Sequence, residues 1–190
     1  MTDGKCYRTI VVDPPWRYST VRIPTGAVRP ETQPAAVAHY PDMSIAEISA
    51  LPVADWSDSS AHLYLWVTNP ILPDTLPILS AWGFRYVTLL TWHKLGGIGL
   101  GYYFRGDTEH VIFGVRGRLP IPANIRERNW FAAPKRGHSV KPDRFYEIVE
   151  RVSPEPRLEV FARRRRYGWD VWGNEAPEEQ RSQSEMGLPS

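Results

Sequence analysis

Short apolar runs alternate with polar, proline- and glycine-rich stretches along this chain. Residues 7–12 contain the β-branched run Thr9-Ile10-Val11-Val12 and read as a buried strand. Residues 62–67, 84–92, 109–115 and 158–162 read the same way, and residues 170–172 predict a last short strand. Helical signals fall between them. Ser44-Ile45-Ala46-Glu47 is a capping box that opens a short helix ending near Ala50. Asn69-Pro70 reads as an N-cap with proline at the first helical position. It predicts a helix to Trp82 that Gly83 ends and that Pro73 and Pro77 shorten or kink. Residues 142–152 form an amphipathic helix with Phe145, Ile148, Val149 and Val152 on its apolar face.

The intervening segments differ in kind. Residues 17–39 are polar, with Pro24, Pro30 and Pro34. Loops of that length serve as lids or stay disordered. Residues 96–101 are glycine-rich but too irregular for a dinucleotide fingerprint, and they follow a strand without opening a helix. Residues 116–140 are basic and helix-poor. From Ala176 the chain turns polar, so one domain over 1–175 and a frayed, disordered tail over 176–190 are expected. Strands alternating with helices predict an α/β sheet with helices on both faces. Such sheets bind ligands beyond the C-terminal ends of their strands. Asp13 and Lys94 both follow strand C-termini, so they should share that edge.

Composition removes several classes. The 190 residues carry a net charge of +2, so any nucleic-acid surface must be a local patch. Cys6 is the only cysteine, which excludes a disulfide framework and a cysteine-rich zinc site. The five histidines show no i, i+4 ligand pairing. No apolar run reaches transmembrane length and no signal peptide opens the chain, so no membrane partner and a cytoplasmic location are expected.

Asp13-Pro14-Pro15-Trp16 stands at the tip of the first strand. Average usage places such a tetrapeptide in roughly one chain of this length in a few thousand. Its residue types suit one task, the holding of a planar amino group for alkylation. The exocyclic nitrogen of adenine is a poor nucleophile because its lone pair is delocalised into the ring. Acceptors for both N–H bonds hold it and favour the pyramidal geometry it must reach. Asp13 offers one acceptor. The Pro14 carbonyl, fixed by two prolines, offers the second. Trp16 offers a face for an extruded base. A capped turn after a strand is the simpler alternative.

Beyond these residues the chain resembles the adenine N6-methyltransferases related to the catalytic subunit of the messenger-RNA adenosine methyltransferase. That family includes small bacterial and phage members. The likeness runs over residues 7–175. It is carried by Asp13-Pro-Pro-Trp16, Leu63-Tyr-Leu-Trp-Val-Thr68, Trp92-His-Lys94, Glu109-His110, Lys141-Pro142-Asp143 with Tyr146, Glu150-Arg-Val-Ser-Pro154 and Gly173-Asn174. The resemblance implies a Rossmann-like, S-adenosylmethionine-dependent methyltransferase sheet whose catalytic motif precedes the cofactor-site strand. It also implies S-adenosylmethionine as methyl donor and nucleic acid, DNA or RNA, as partner. A monomer and a homodimer are both compatible with it. Residue by residue, it assigns Asp13, Pro14, Pro15 and Trp16 to the target amine. Asp13, Lys141, Arg163, Asn174 and Glu175 are assigned to the donor, and Tyr40, Trp92, Lys94 and Glu109 to the target nucleoside. Bland readings stand beside several of these. Lys141 suits a solvated helix N-terminus, Asn174 a turn, Trp92 plain core, and Glu109 a pair with Arg105.

Three departures from the family pattern are present. About a dozen residues precede Asp13. Longer members have an upstream segment that helps close the donor's adenine pocket, so that wall is expected to come from elsewhere or to be open. Arg164-Arg165-Arg166 replace a Pro-His-Asn run, which puts cations where the family has neutral donors. Glu175 replaces a common glutamine.

The expected reaction is direct in-line transfer without a covalent enzyme intermediate, because no nucleophile signature accompanies the motif. Arg126, Arg128, Lys135, Arg136 and the 163–166 run are expected to meet phosphates. Two other functions compete with the adenine enzyme. One is a catalytically silent nucleic-acid-binding partner of the same fold. The other is a methyltransferase acting on cytosine N4, whose amine has similar geometry.

Overall fold

The computed structural model describes residues 4–17, 41–96, 104–136 and 140–173. Seven strands form one sheet: β1 (Tyr7–Val12), β2 (Ser57–Val67), β3 (Arg85–Leu95), β4 (Thr108–Arg116), β5 (Trp130–Pro134), β6 (Arg157–Val160) and β7 (Trp169–Trp172). Their order is β5-β3-β4-β2-β1-β6-β7. β1 runs parallel to β2 and β6, β6 to β7, and β3 to β5. β4 alone is antiparallel to its neighbours. The start of β4 therefore lies at the same edge as the ends of the other strands.

The helices are α1 (Ile45–Ser49), α2 (Val53–Trp56), α3 (Leu76–Ala81) and α4 (Asp143–Val152). α1 carries the expected capping box, with Ser44 and Glu47 satisfying each other's backbone N–H groups. The single helix expected between Asn69 and Trp82 is instead a 3-10 turn, Leu72–Asp74, followed by α3. Pro73 and Pro77 each lie in the first turn of one piece, because a proline farther inside would break the backbone ladder. α2 and β5 are elements that the pattern reading did not separate.

The alternation along the strands builds two cores. Ile10, Val12, Leu63, Leu65, Leu158 and Val160 face Ile48, Trp56, Ile78, Leu79 and Trp82 from α1–α3. Val11, Tyr64, Trp66, Val111 and Phe113 face Phe145, Ile148 and Val149 of α4. Helices thus cover both faces, as expected. At ten residues α4 is too short to be stable alone, so this packing holds it. No helix among the described residues is long and apolar enough to cross a membrane.

β1 is the point where the winding reverses. The chain leaves β1 for β2 on one side, and leaves β6 for β7 on the other. Open α/β sheets bind ligands in the crevice at such a point. Asp13 ends β1 there and Phe161 ends β6, with the Asp13 N–H facing the Val160 carbonyl at 3.4 Å. Phe161 has φ 66°, a left-handed conformation that non-glycine residues seldom adopt. It turns the chain sharply at the sheet edge, and its N–H bonds the Trp172 carbonyl.

Candidate active site at the sheet edge

The turn after β1 is tied down by its own backbone. The Trp16 N–H donates to the Pro14 carbonyl at 2.9 Å, an i to i+2 turn about Pro15. The Met43 N–H donates to the Pro15 carbonyl, and the Arg17 N–H to the Met43 carbonyl. The Pro14 oxygen is therefore fixed in direction and keeps a second lone pair for another donor.

Trp16 differs from its expected role. Its ring is 6% exposed and packs in the core, and its indole N–H donates to the Trp66 carbonyl at 3.0 Å. It offers no open face to a base. Its place is beneath the corner, where it locks the motif to the end of β2. Trp92 is likewise core, with its indole N–H bonded to the Ala133 carbonyl.

On the α4 side of the sheet edge, four strands present side chains in spatial order: Asp13 after β1, Trp66 on β2, Glu109 on β4 and Lys94 on β3. Lys141, two residues before α4, bridges the first three. Its ammonium lies 3.1 Å from Asp13 Oδ1 and 3.1 Å from Glu109 Oε2. Between these acids it sits over the Trp66 ring, 4.4 Å from the centroid. Lys94 completes the row, 2.6 Å from Glu109 Oε1 and 5.5 Å from the Trp92 ring centre. Lys141 is thus no solvated helix terminus, and Glu109 has Lys94 and Lys141 as partners. Glu109 reaches this edge only because β4 is antiparallel.

Burial and pairing compete at each charge. Burial raises the Asp13 acid above its ordinary value, and Lys141 offsets only part of the rise. Burial pushes Glu109 up as well, but Lys141 and Lys94 outweigh it and hold this carboxyl low. Burial alone would discharge Lys141, yet the two carboxylates raise it, so it stays an ammonium. Arg163, following the tip of β6, adds a positive field that acts on Asp13.

Two features were not legible as site residues. One is Trp66, the floor under Lys141, whose indole N–H is buried without a partner among the described residues. The other is Glu159 on β6, beside Val11 in register and bonded by the Tyr146 hydroxyl. Burial raises Glu159 to about 7, and the Asp13 charge adds to the rise. Tyr40, Asn174 and Glu175 lie outside the described residues.

Residues 7–175 match the model of the MT-A70 family. The chain belongs to the MT-A70 family. It is 28% identical over 186 residues to the type II methyltransferase M.MunI of Mycoplasma sp, covering 92% of this chain and 79% of that protein. It is 27% identical to a probable N(6)-adenosine-methyltransferase MT-A70-like protein of Oryza sativa subsp. japonica, and spans 23% of that chain. It is 25% identical to the human N(6)-adenosine-methyltransferase catalytic subunit METTL3, and spans 28% of it. The chain thus covers most of the Mycoplasma relative and about a quarter of the eukaryotic ones.

A methyltransferase family implies a methyl donor, and the edge residues fit S-adenosylmethionine. Its amino-acid end carries one ammonium and one carboxylate. Asp13 and Lys141 stand together at the winding reversal, where such sheets bind ligands, and offer one charge of each sign.

Proposed function

We propose that this MT-A70 protein transfers the methyl group of S-adenosylmethionine to the N6 amine of adenine in nucleic acid. The observation that carries this reading is the mostly buried Lys141 ammonium held between Asp13 and Glu109 at the tip of β1. An anionic acceptor and a fixed carbonyl stand side by side at that tip, where a nucleobase amine needs two acceptors.

S-adenosylmethionine, when bound, supplies an electrophilic methyl group on a sulfonium. The chain's own residues do the rest. Lys141 lies against Asp13 Oδ1, which leaves Oδ2 to accept the amine N–H. The Pro14 carbonyl takes the second N–H along its remaining lone pair. These preorganised acceptors favour the attacking geometry without reorganising during reaction. Burial makes Asp13 a stronger base than an ordinary carboxylate, so it can take the surplus proton at Oδ2. Lys141 and Glu109 hold Asp13 in place and keep its surroundings close to neutral.

The test is labelled-methyl transfer to matched DNA and RNA oligomers, single and double stranded, followed by digestion to nucleosides. N6-methyladenine is expected from wild type. Asp13→Ala should abolish transfer while donor binding by calorimetry survives in part. N4-methylcytosine as sole product, or full activity in Asp13→Ala, overturns the proposal.

A further inference from the structure

The arginine run that departs from the family pattern has a defined place. The chain leaves β6 at the site edge and returns along the outside of α4 to enter β7. Along that path Arg164 Nη2 and Arg166 Nη2 both meet Asp143 Oδ1 at 2.6 Å. From the other side, Arg136 Nη1 meets Asp143 Oδ2 at 3.0 Å. Asp143 opens α4 and lies two residues from Lys141, a span of at most about 7 Å. Arg164 and Arg166 also lie over the ring of Tyr146, 5.5 and 4.2 Å from its centre.

This is more positive charge than a structural staple needs. Three guanidiniums converge on one carboxylate. Adding Glu150, 3.9 Å from Arg166, gives three cations against two anions in direct ion pairs, and Glu159, bonded by the Tyr146 hydroxyl, is a further acid whose burial favours its protonated form. Arg166 is the least exposed member, with its side chain 22% exposed. Arg164 and Arg136 stay open, at 44% and 67%. A guanidinium has five N–H donors in a fork that matches two oxygens of a phosphate. Asp143 and the Tyr146 ring hold these forks in position, so little ordering remains for binding to impose.

We propose that Arg136, Arg164 and Arg166, gathered by Asp143, form a ledge that binds a backbone phosphate of the nucleic-acid strand whose adenine reaches Asp13. The ledge rests on the methyltransferase reading and adds to it where the strand is gripped. Asp143 acts as an organiser. It aligns the cations when no strand is present, and it remains one acid among three bases when a phosphate arrives.

A single-stranded, adenine-containing fluorescent oligonucleotide tests this across a salt series, with donor binding followed in parallel by calorimetry. Arg136→Gln should weaken oligonucleotide binding several-fold and flatten the log–log salt slope by up to about 0.7, the share of one lost phosphate contact. Asp143→Asn removes the carboxylate that aligns the three cations, so a folded Asp143→Asn protein should bind the oligonucleotide more weakly than wild type. Donor affinity should stay unchanged in Arg136→Gln. An unchanged salt slope in Arg136→Gln overturns the ledge, and so does undiminished oligonucleotide binding in Asp143→Asn that circular dichroism shows to be folded. Neither outcome touches the methyltransferase reading, which fails instead if wild type takes up no donor.

Discussion

Lys141 Nζ lies 3.1 Å from Asp13 Oδ1, and this contact joins the approach to α4 to the tip of β1. It ties the acid that would hold an amine to a lysine that also holds Glu109. Lys141→Met should therefore do two things. It leaves two mostly buried carboxylates without their shared cation, which costs roughly 3–5 kcal/mol where such a pair is broken. It also removes the cation proposed to face the donor's carboxylate. Lower melting temperature, lost donor binding and lost transfer are expected together. Adding Glu109→Gln to Lys141→Met should restore part of the stability and none of the activity, because the uncompensated charge is relieved but Asp13 still lacks its partner.

Trp16 separates a structural role from a stacking role. If its ring held the base, Trp16→Phe would keep much of the activity, since phenylalanine also stacks. The indole N–H to the Trp66 carbonyl argues otherwise. Trp16→Phe strands that buried carbonyl at a cost of about 1–3 kcal/mol, and it loosens the corner that aims the Pro14 oxygen. The expected result is a fall in kcat with KM little changed and a lower melting temperature. A variant with normal kcat and a raised KM would point to stacking.

Lys94 acts on Glu109 rather than on Asp13. Glu109 is held low because Lys141 and Lys94 outweigh its burial. Lys94→Met removes one of these cations, so the Glu109 carboxyl should protonate at higher pH than in wild type. The acid limb of the kcat/KM profile should then move to higher pH. An acid limb that stays in place would show that Glu109 ionisation does not matter for catalysis.

The corner at Asp13 was legible because it depends on local pattern: a β-branched run, then an acid and two prolines. The shared edge of Asp13 and Lys94 followed from strand direction alone. Glu109 was harder. Its side of the sheet depends on β4 running antiparallel, which is a property of topology and not of its neighbours in sequence. β5 was hidden for a different reason. Only Phe131 and Ala133 point inward, within a segment dominated by arginines and prolines. The burial of Trp16 was equally invisible, because an indole at a strand end reads the same whether it meets solvent, a base or another strand; for Trp92 the plain-core reading already stood beside the substrate one. Glu159 looks like an ordinary polar position in a strand until β7 and α4 close around it.

Glu159 makes folding stability depend on pH near neutrality. It is 6% exposed, accepts a hydrogen bond from the Tyr146 hydroxyl, and is raised from 4.5 to about 7. Around it stand Asp13 after β1, Tyr146 on α4, and Arg164 and Arg166 along the outside of α4. Below pH 4.5 both folded and unfolded chains hold this proton, and the group has no effect on pH dependence. Between pH 4.5 and about 7 the unfolded chain releases the proton while the folded one keeps it. Stability from this group therefore falls as pH rises through that window. The loss is on the order of 3 kcal/mol, from a shift of about two and a half units at roughly 1.4 kcal/mol each. Above about 7 the loss is complete. Glu159→Gln keeps an acceptor for Tyr146 and removes the titration. Denaturant melts between pH 5 and 8 should show wild type losing stability relative to Glu159→Gln as pH rises. A constant difference across that range would place the Glu159 ionisation elsewhere.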